Sequence, residues 1–460
     1  MNQIKTKKTP HILLINPWIE DFAAYDFWAK PMGLLRIASW LQEHNLRFDY
    51  LDCLDMTHPV HSRFLPAPPE RTPWGSGKYH RVPLEPPEAV SCIPRQWSGY
   101  GLPPDYVQSY LETLAPPDII LIHTSMTYWY HSSKKLTALL HRLFPRARIV
   151  LGGIYTTICP EHATKAFYPD YTHSGEGFDF LRRYFHDNWQ LFLNHPKPLS
   201  LPYPVNLYSG SDLGVLSLSL GCPFQCTYCA SSFLHRHFQK APLAFLKEEL
   251  LRFAQSSIRN ITFYDDALLT NAHDLLLPLL KWSQREGLNF SFHISNGINV
   301  KNITPDIAHA FKENNFTTLR LGYETADIDQ QEKFGGKVTN KDFNDAIKFL
   351  HDAGYSPREI GVFLLAGYPG QKKEELKQSI EYVFDHGAKP YISEYSPIPN
   401  TRLWEDSCRY SRFPLREEPL FHNSSIFPCE WKYFTRNDLY ELKLYNRKRI
   451  DRDYHQGELS

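Results

Sequence analysis

Short apolar runs alternate with amphipathic stretches along most of the chain. Residues 12–15 form the first run, ended by Asn16-Pro17, and predict a buried parallel strand. Residues 31–44 then place Leu34, Leu35, Ile37, Ala38 and Leu41 at helical spacing. A strand over 47–51 follows. The rhythm returns with a helix at 103–114, a strand at 118–122, a helix at 132–144 and a strand at 148–151. Gly152-Gly153 closes that strand, and Gly175-Glu176-Gly177 opens a further turn and helix. This alternation predicts a doubly wound α/β sheet. Its ligand edge would be the loops 16–20, 124–129 and 152–157, with Thr124, Ser125, Gly152 and Gly153 as candidate contacts. Gly152-Gly153 also reads as a tight strand-to-helix turn. The glycine pattern of a dinucleotide site is missing.

A second series begins at 215–219. Further strands are predicted at 258–264, 289–294, 317–321, 359–365 and 390–395. Helices between them are predicted at 242–253, 273–286, 304–314, 341–352 and 372–386. Six strand–helix steps make an open, partial (β/α)6 barrel of the TIM type, in which chemistry sits at the C-terminal strand ends. Residues 57–100 are rich in proline, aromatics and turn formers and predict an ordered insertion or cap, with Trp74, Tyr79, Trp97 and Tyr100 as packing anchors. The boundaries expected are an α/β domain over 1–194, a proline-stiffened linker over 195–214, the barrel over 215–404 and a small helical cap or interface region over 405–460. In that last region 431–454 reads as a charged, aromatic helix.

Composition narrows the function classes. Fifty basic residues balance fifty acidic ones, which argues against a large nucleic-acid surface and predicts no stable nucleic-acid partner. Eight cysteines are too few for a disulfide scaffold at 460 residues and suggest a reducing compartment. Residues 1–10 are basic without a following cleavage region, and no apolar run approaches a membrane span. A cytoplasmic location is expected.

The densest chemistry is GCPFQCTYC at 221–229. Cys222, Cys226 and Cys229 form a CxxxCxxC set directly after a strand. One loop can point three thiolates at a common centre and leave a coordination position for a substrate. The spacing fits an iron–sulfur cluster, a structural zinc site with a distant fourth ligand, or unligated buried thiols. Further candidates lie at later strand ends. They are Asp265-Asp266, Asn296-Gly297, Glu324 in GYET, Gly367 and Gly370 in LAGYPG, and Thr401 and Arg402 in SPIPNTRLW. Each also has a plain reading as a turn, a solvated acid or a packing element.

Taken in order, these motifs resemble the radical SAM superfamily. The resemblance implies a [4Fe-4S] cluster on Cys222, Cys226 and Cys229, with S-adenosyl-L-methionine (SAM) chelating the fourth iron and cleaved by one electron to a 5′-deoxyadenosyl radical. It implies that Phe224 and Tyr228 shield the cluster or meet the adenine, and that Asp265 and Asp266 bind the amino group or ribose of SAM. Asn296, Glu324, Gly367 and Gly370 would complete the SAM site. Glu324 and Arg402 would face the substrate, Glu324 as an orienting group or base. The first domain resembles the cobalamin-binding domain that precedes many such cores. Pro31-Met32-Gly33-Leu34 and the series Gly152-Gly153, Pro160-Glu161, Gly175-Glu176-Gly177 carry that likeness. It lacks a DxHxxG motif, so no histidine is assigned to cobalt. The expected protein is a cobalamin-type radical SAM enzyme methylating an unactivated carbon of a small-molecule or natural-product substrate, with a reductase or flavodoxin-type electron donor. The alternatives are radical rearrangement, cyclisation or oxidation without methyl transfer, and a non-catalytic iron–sulfur binding or maturation protein.

Overall fold

The computed structural model describes residues 9–62 and 69–455. The basic first eight residues, part of the 57–100 insertion and the last five residues of the C-terminal region lie outside the described residues. The chain divides into two compact units, Met1–Ser211 and Asp212–Ser460.

Five parallel strands build the first unit: β1 (Ile12–Asn16), β2 (Phe48–Asp52), β3 (Ile119–Thr124), β4 (Arg148–Gly153) and β5 (Tyr171–Thr172). They are ordered β2-β1-β3-β4-β5, every pair parallel. β1 is buried at all five positions, as its unbroken apolar run requires. Helix Met32–Glu43 buries Leu34, Ala38 and Leu41 against the same core. Strand order reverses between β1 and β3, and the crevice at their C-terminal ends is where a doubly wound sheet takes its ligand.

The insertion adds a small antiparallel sheet in which Ser98–Tyr100 pairs with both Ile19–Asp21 and Arg81–Pro83. Tyr79, Trp97 and Tyr100 are buried, and the Trp74 carbonyl accepts a hydrogen bond from Trp28 Nε1 at 2.7 Å. Residues up to 211 pack within this unit. Trp40 Nε1 donates to Asn194 O at 2.9 Å, Ser39 Oγ to Pro202 O at 2.5 Å, and Tyr208 OH to Asp52 Oδ2 at 2.6 Å.

The second unit lays six parallel strands in chain order: β6 (Leu213–Leu216), β7 (Asn260–Phe263), β8 (Ser291–Ile294), β9 (Phe316–Glu324), β10 (Ile360–Ala366) and β11 (Lys389–Glu394). Each pairs with the next, and helices connect them. The helix zone predicted at 273–286 differs from expectation. It opens as a wide π turn, Ala272–Leu276, before the α-helix Leu277–Arg285, because Pro278 has no N–H for the regular ladder.

The C-terminal helix runs Arg436–Ile450 and starts at a Thr435/Asp438 capping box. It lies along edge strand β11: Asn446 Nδ2 donates to Pro390 O at 3.1 Å, and Lys443 pairs with Glu394. A sheet edge is thereby covered. Among the described residues, no helix is long and apolar enough to cross a membrane.

Candidate functional site

The cysteine loop leaves the C-terminal end of β6. A two-residue ribbon closes it, with Ser219 opposite Lys240 and Leu220 opposite Gln239. Gly221 opens the loop at φ +84, where a side chain would press on His235 and His237. All eight cysteines are unpaired. Burial pushes Cys229 up to about 11 and raises Cys222, with neighbouring thiolates adding to both. The Ser231 amide points at Cys229 Sγ across 3.4 Å.

Loops from across the barrel converge on this segment. Thr227 N donates to Phe334 O at 3.4 Å, and Leu403 N donates to Thr227 O at 3.0 Å. Arg402 Nη2 donates to Gln225 Oε1 at 2.6 Å, which brings that predicted residue onto the cysteine loop. Phe334 stands edge-on between Tyr228 and Tyr368, with centroids 5.0 Å away on each side. These rings pack with Leu365, Tyr395, Leu403 and Cys429 as one apolar cluster. Phe224 is half-buried in the same loop.

Glu324 ends β9 at φ +72, a conformation L-residues seldom hold without cause. Its Oε1 lies over Gly322, where a Cβ would come within 3.3 Å. Burial raises the Glu324 carboxyl, and the Lys337 charge and Tyr228 hydroxyl offset this in part. Burial and that carboxylate together hold the Tyr228 hydroxyl protonated well above its ordinary range. Gly297 approaches the Gly322 backbone so closely that a Cβ would fall 3.2 Å from it.

Asp265 is 3% exposed. Its carboxylate accepts Leu218 N at 3.0 Å and Ser219 Oγ at 2.5 Å, and burial pushes it up to about 6. Asp266 is exposed and accepts Ser231 Oγ at 2.5 Å. Asn296 Nδ2 donates to Asp265 O at 3.2 Å. In the LAGYPG turn, Gln371 bridges Gly367 N and Leu365 O. The space beside Gly367 is taken by the Phe427 ring, and that beside Gly370 by Tyr410.

Phe334 and three polar residues at this mouth escaped the sequence reading. Lys337 follows the turn glycines Gly335 and Gly336. Ser231 and Gln371 are ordinary polar residues whose roles appear only through partners distant in sequence. The FGGK run at 334–337 was the one usable signal.

In the first unit, Thr124 Oγ1 donates to Gly152 O at 3.0 Å and accepts from Thr156 N at 3.3 Å. Ser125 beside it is half-buried. Gly153 holds φ +118, and a Cβ there would lie 2.2 Å from Thr124 O. A Cβ on Gly152 would meet nothing within 4 Å. Met126 and Ile154 follow β3 and β4 at 44% and 39% exposure. After β1, Glu20 is buried with His131 Nδ1 at 2.8 Å and Lys135 Nζ at 2.9 Å. Burial alone would raise its carboxyl, but those partners bring it below the usual range. The β1 loop is thus pinned, and residues 16–30 contain no histidine.

The donor set fits an iron–sulfur cluster. Three free thiols share one loop, a backbone amide is aimed at one sulfur, and aromatic rings wall the loop. Among the described residues, no three His, Cys, Asp or Glu side chains gather as a single metal ion would need. A four-iron cluster instead gives each thiolate its own iron. In the first unit, the room beside Gly152 and the exposed pair Met126 and Ile154 lie at the C-terminal ends of β3 and β4, the edge where a doubly wound sheet takes a ligand.

Comparison with known proteins agrees with this geometry. Residues 216–383 match the Radical SAM superfamily. An uncharacterized methyltransferase of Pyrococcus horikoshii is 28% identical over 260 residues, covering 54% of this chain and 51% of the relative. The hopanoid C-2 methylase of Rhodopseudomonas palustris is 28% identical over 291 residues, covering 57% and 53%. The chain therefore spans about half the length of the curated relatives it matches. Among solved structures, the radical S-adenosylmethionine methyltransferase TsrM of Kitasatospora setae, with cobalamin and a [4Fe-4S] cluster bound, superposes with a TM-score of 0.67 at 14% identity, over 98% of this chain and 92% of that one. Residues 216–383 therefore match a radical SAM domain, and over nearly its whole length the chain is similar in fold to a solved structure that holds cobalamin and a [4Fe-4S] cluster.

Proposed function

We propose that this protein is a cobalamin-dependent radical SAM enzyme that methylates an unactivated carbon of a small-molecule or natural-product substrate. The observation that carries the reading is the convergence of the 334–337 and 402–403 loops on the three-cysteine segment. It assembles a walled mouth at the C-terminal end of the barrel. Named methylases among the relatives support the reaction class.

When bound, the cluster supplies the electron that cleaves SAM to a 5′-deoxyadenosyl radical, and methylcobalamin supplies the methyl group. The protein's own work is placement and exclusion. Cys222, Cys226 and Cys229 hold the cluster. Phe224, Tyr228 and Phe334 keep water from it. Glu324, fixed by its backbone and flanked by Lys337, offers a carboxylate to the amino group of SAM, and Asn296, Gly367 and Gly370 line the remainder. Arg402, tied to Gln225, fixes the substrate-side loop. Thr124, Ser125, Gly152 and Gly153 form the cobalamin edge. A reductase or flavodoxin-type donor supplies electrons. Eight unpaired cysteines support a reducing, cytoplasmic setting.

The test is anaerobic purification with cobalamin supplied, followed by absorption spectra, iron and cobalt content, and transfer of label from methyl-labelled SAM. A [4Fe-4S] band with near-stoichiometric cobalt is expected. Iron without cobalt after reconstitution excludes cobalamin-dependent methyl transfer and leaves a radical SAM enzyme whose first domain does another job. Neither iron nor SAM cleavage excludes the radical reading.

A further inference from the structure

The acid pair at the end of β7 is placed for a different task from ligand binding. We propose that Asp265 and Asp266 are positioning residues that clamp the cysteine loop at both ends and thereby set the thiolates for the cluster. This deepens the reading above and rests on it.

The geometry assigns one end to each acid. Asp265 is buried, and both its oxygens are turned toward the chain entering the loop: Oδ2 accepts Leu218 N at 3.0 Å and Oδ1 accepts Ser219 Oγ at 2.5 Å. With its carboxylate so occupied, Asp265 is poorly disposed to meet an ammonium or ribose. Its partners are Leu218, just ahead of the Ser219–Leu220 ribbon, and Ser219, the ribbon's first residue, two positions before Gly221. Asp266 takes the other end. Its Oδ2 accepts Ser231 Oγ, and the amide of that same serine faces Cys229 Sγ. Asp266 thus acts through Ser231 on one thiolate. Adjacent residues in one strand end diverge, one inward and one outward, and their partners bracket all three cysteines. Hydrogen bonds to ligating sulfurs and the groups that orient them tune both metal retention and potential.

The experiment uses the full chain, anaerobically reconstituted, as wild type, Asp266→Ala, Ser231→Ala, the double variant and Asp266→Asn. Three readouts are taken: iron release to a chelator, the electron paramagnetic resonance signal of the reduced cluster, and SAM affinity of the loaded fraction. Each single alanine variant should release iron several-fold faster and alter the signal. The double variant should be no worse than the more severe single one, because the two residues act through one bond. Asp266→Asn, which keeps an acceptor, should restore most of the retention. SAM affinity should change less than threefold. Wild-type iron retention in all variants overturns the proposal. So does a tenfold loss of SAM affinity with retention intact, which would make Asp266 a ligand contact. Asp265→Ala and Asp265→Asn extend the test to the entrance. If Asp265→Ala does not fold, the Asp266–Ser231 cycle still decides. A wild-type chain that takes up no [4Fe-4S] cluster overturns the proposed function itself, a result distinct from all of these.

Discussion

Gly152 and Gly153 are neighbours with opposite duties, and replacing each separates stability from ligand binding. At Gly153 the backbone holds φ +118, and an added Cβ would sit 2.2 Å from Thr124 O and 3.0 Å from Thr124 N. Both obstacles are backbone of a paired strand. The conformation alone, extended at positive φ, costs an L-residue about 1–3 kcal/mol. Relief of the clash must part β3 from β4 and strain two hydrogen bonds of Thr124, each worth about 1 kcal/mol. Gly153→Ala should therefore lose about 3–5 kcal/mol, a large share of a domain's stability. At Gly152 the backbone lies outside the left-handed range and nothing stands within 4 Å. Gly152→Ala should be neutral or gain up to about 1 kcal/mol. Denaturant unfolding, with hydrogen exchange at Ile119–Thr124 to report the first unit alone, measures both. Cobalamin titration then uses Gly152→Val, which should keep stability within about 1 kcal/mol and bind at least tenfold more weakly. Equal stability of the two alanine variants would refute the packing argument. Wild-type cobalamin affinity in Gly152→Val would refute the placement of the cofactor on this edge.

Alanine at Cys222, Cys226 or Cys229 should each abolish cluster uptake while leaving the fold intact, read as iron per chain beside circular dichroism. Asp265 titrates at about 6 in the folded protein, above its unfolded value. The folded state then binds more protons between pH 4 and 6, so stability should fall as pH rises through that window and level off above it. The limit is about 3 kcal/mol, measured as the wild-type change in denaturant midpoint relative to Asp265→Asn. Gly367→Ala would set a Cβ 2.1 Å from the Phe427 ring at φ +84. It should cost about 2–5 kcal/mol and loosen residues 405–455, visible as faster proteolytic cleavage there.

The central strands of both parallel sheets were legible in the sequence because they are buried and read as apolar runs, β1 and β10 most clearly, whereas the two-residue edge strand β5 was not foreseen. The antiparallel sheet in the insertion was not legible. Ile19–Asp21, Arg81–Pro83 and Ser98–Tyr100 are three residues each, too short for a period and mixed with proline, glycine and acid. The C-terminal helix was expected from 431 but begins at Arg436, since Trp431 turns back to bridge Phe434. The T-x-x-D cap at Thr435 was the signal for its start. β9 runs beyond its expected end through an irregularity at Gly322 to Glu324, held by neighbours on both sides. At the site, the cysteines stood out because a loop motif is local. Ser231, Lys337 and Gln371 did not, because each gains meaning from chain far away in sequence. The clamping bonds of Asp265 and Asp266 were hidden for the same reason.

The strands of the second unit pair in the order they are made. The cysteine loop lies between the first two, and Asp265 reaches back across only 46 and 47 residues to hold its entrance. A chain emerging from the ribosome can therefore dock β7 on β6 and close that loop while β8–β11 and the terminal helix are still unsynthesised. The Arg402 contact to Gln225 forms much later, across 177 residues. The entrance of the cysteine loop can thus be held during translation, before the 402–403 segment that bonds to Gln225 and Thr227 has been made.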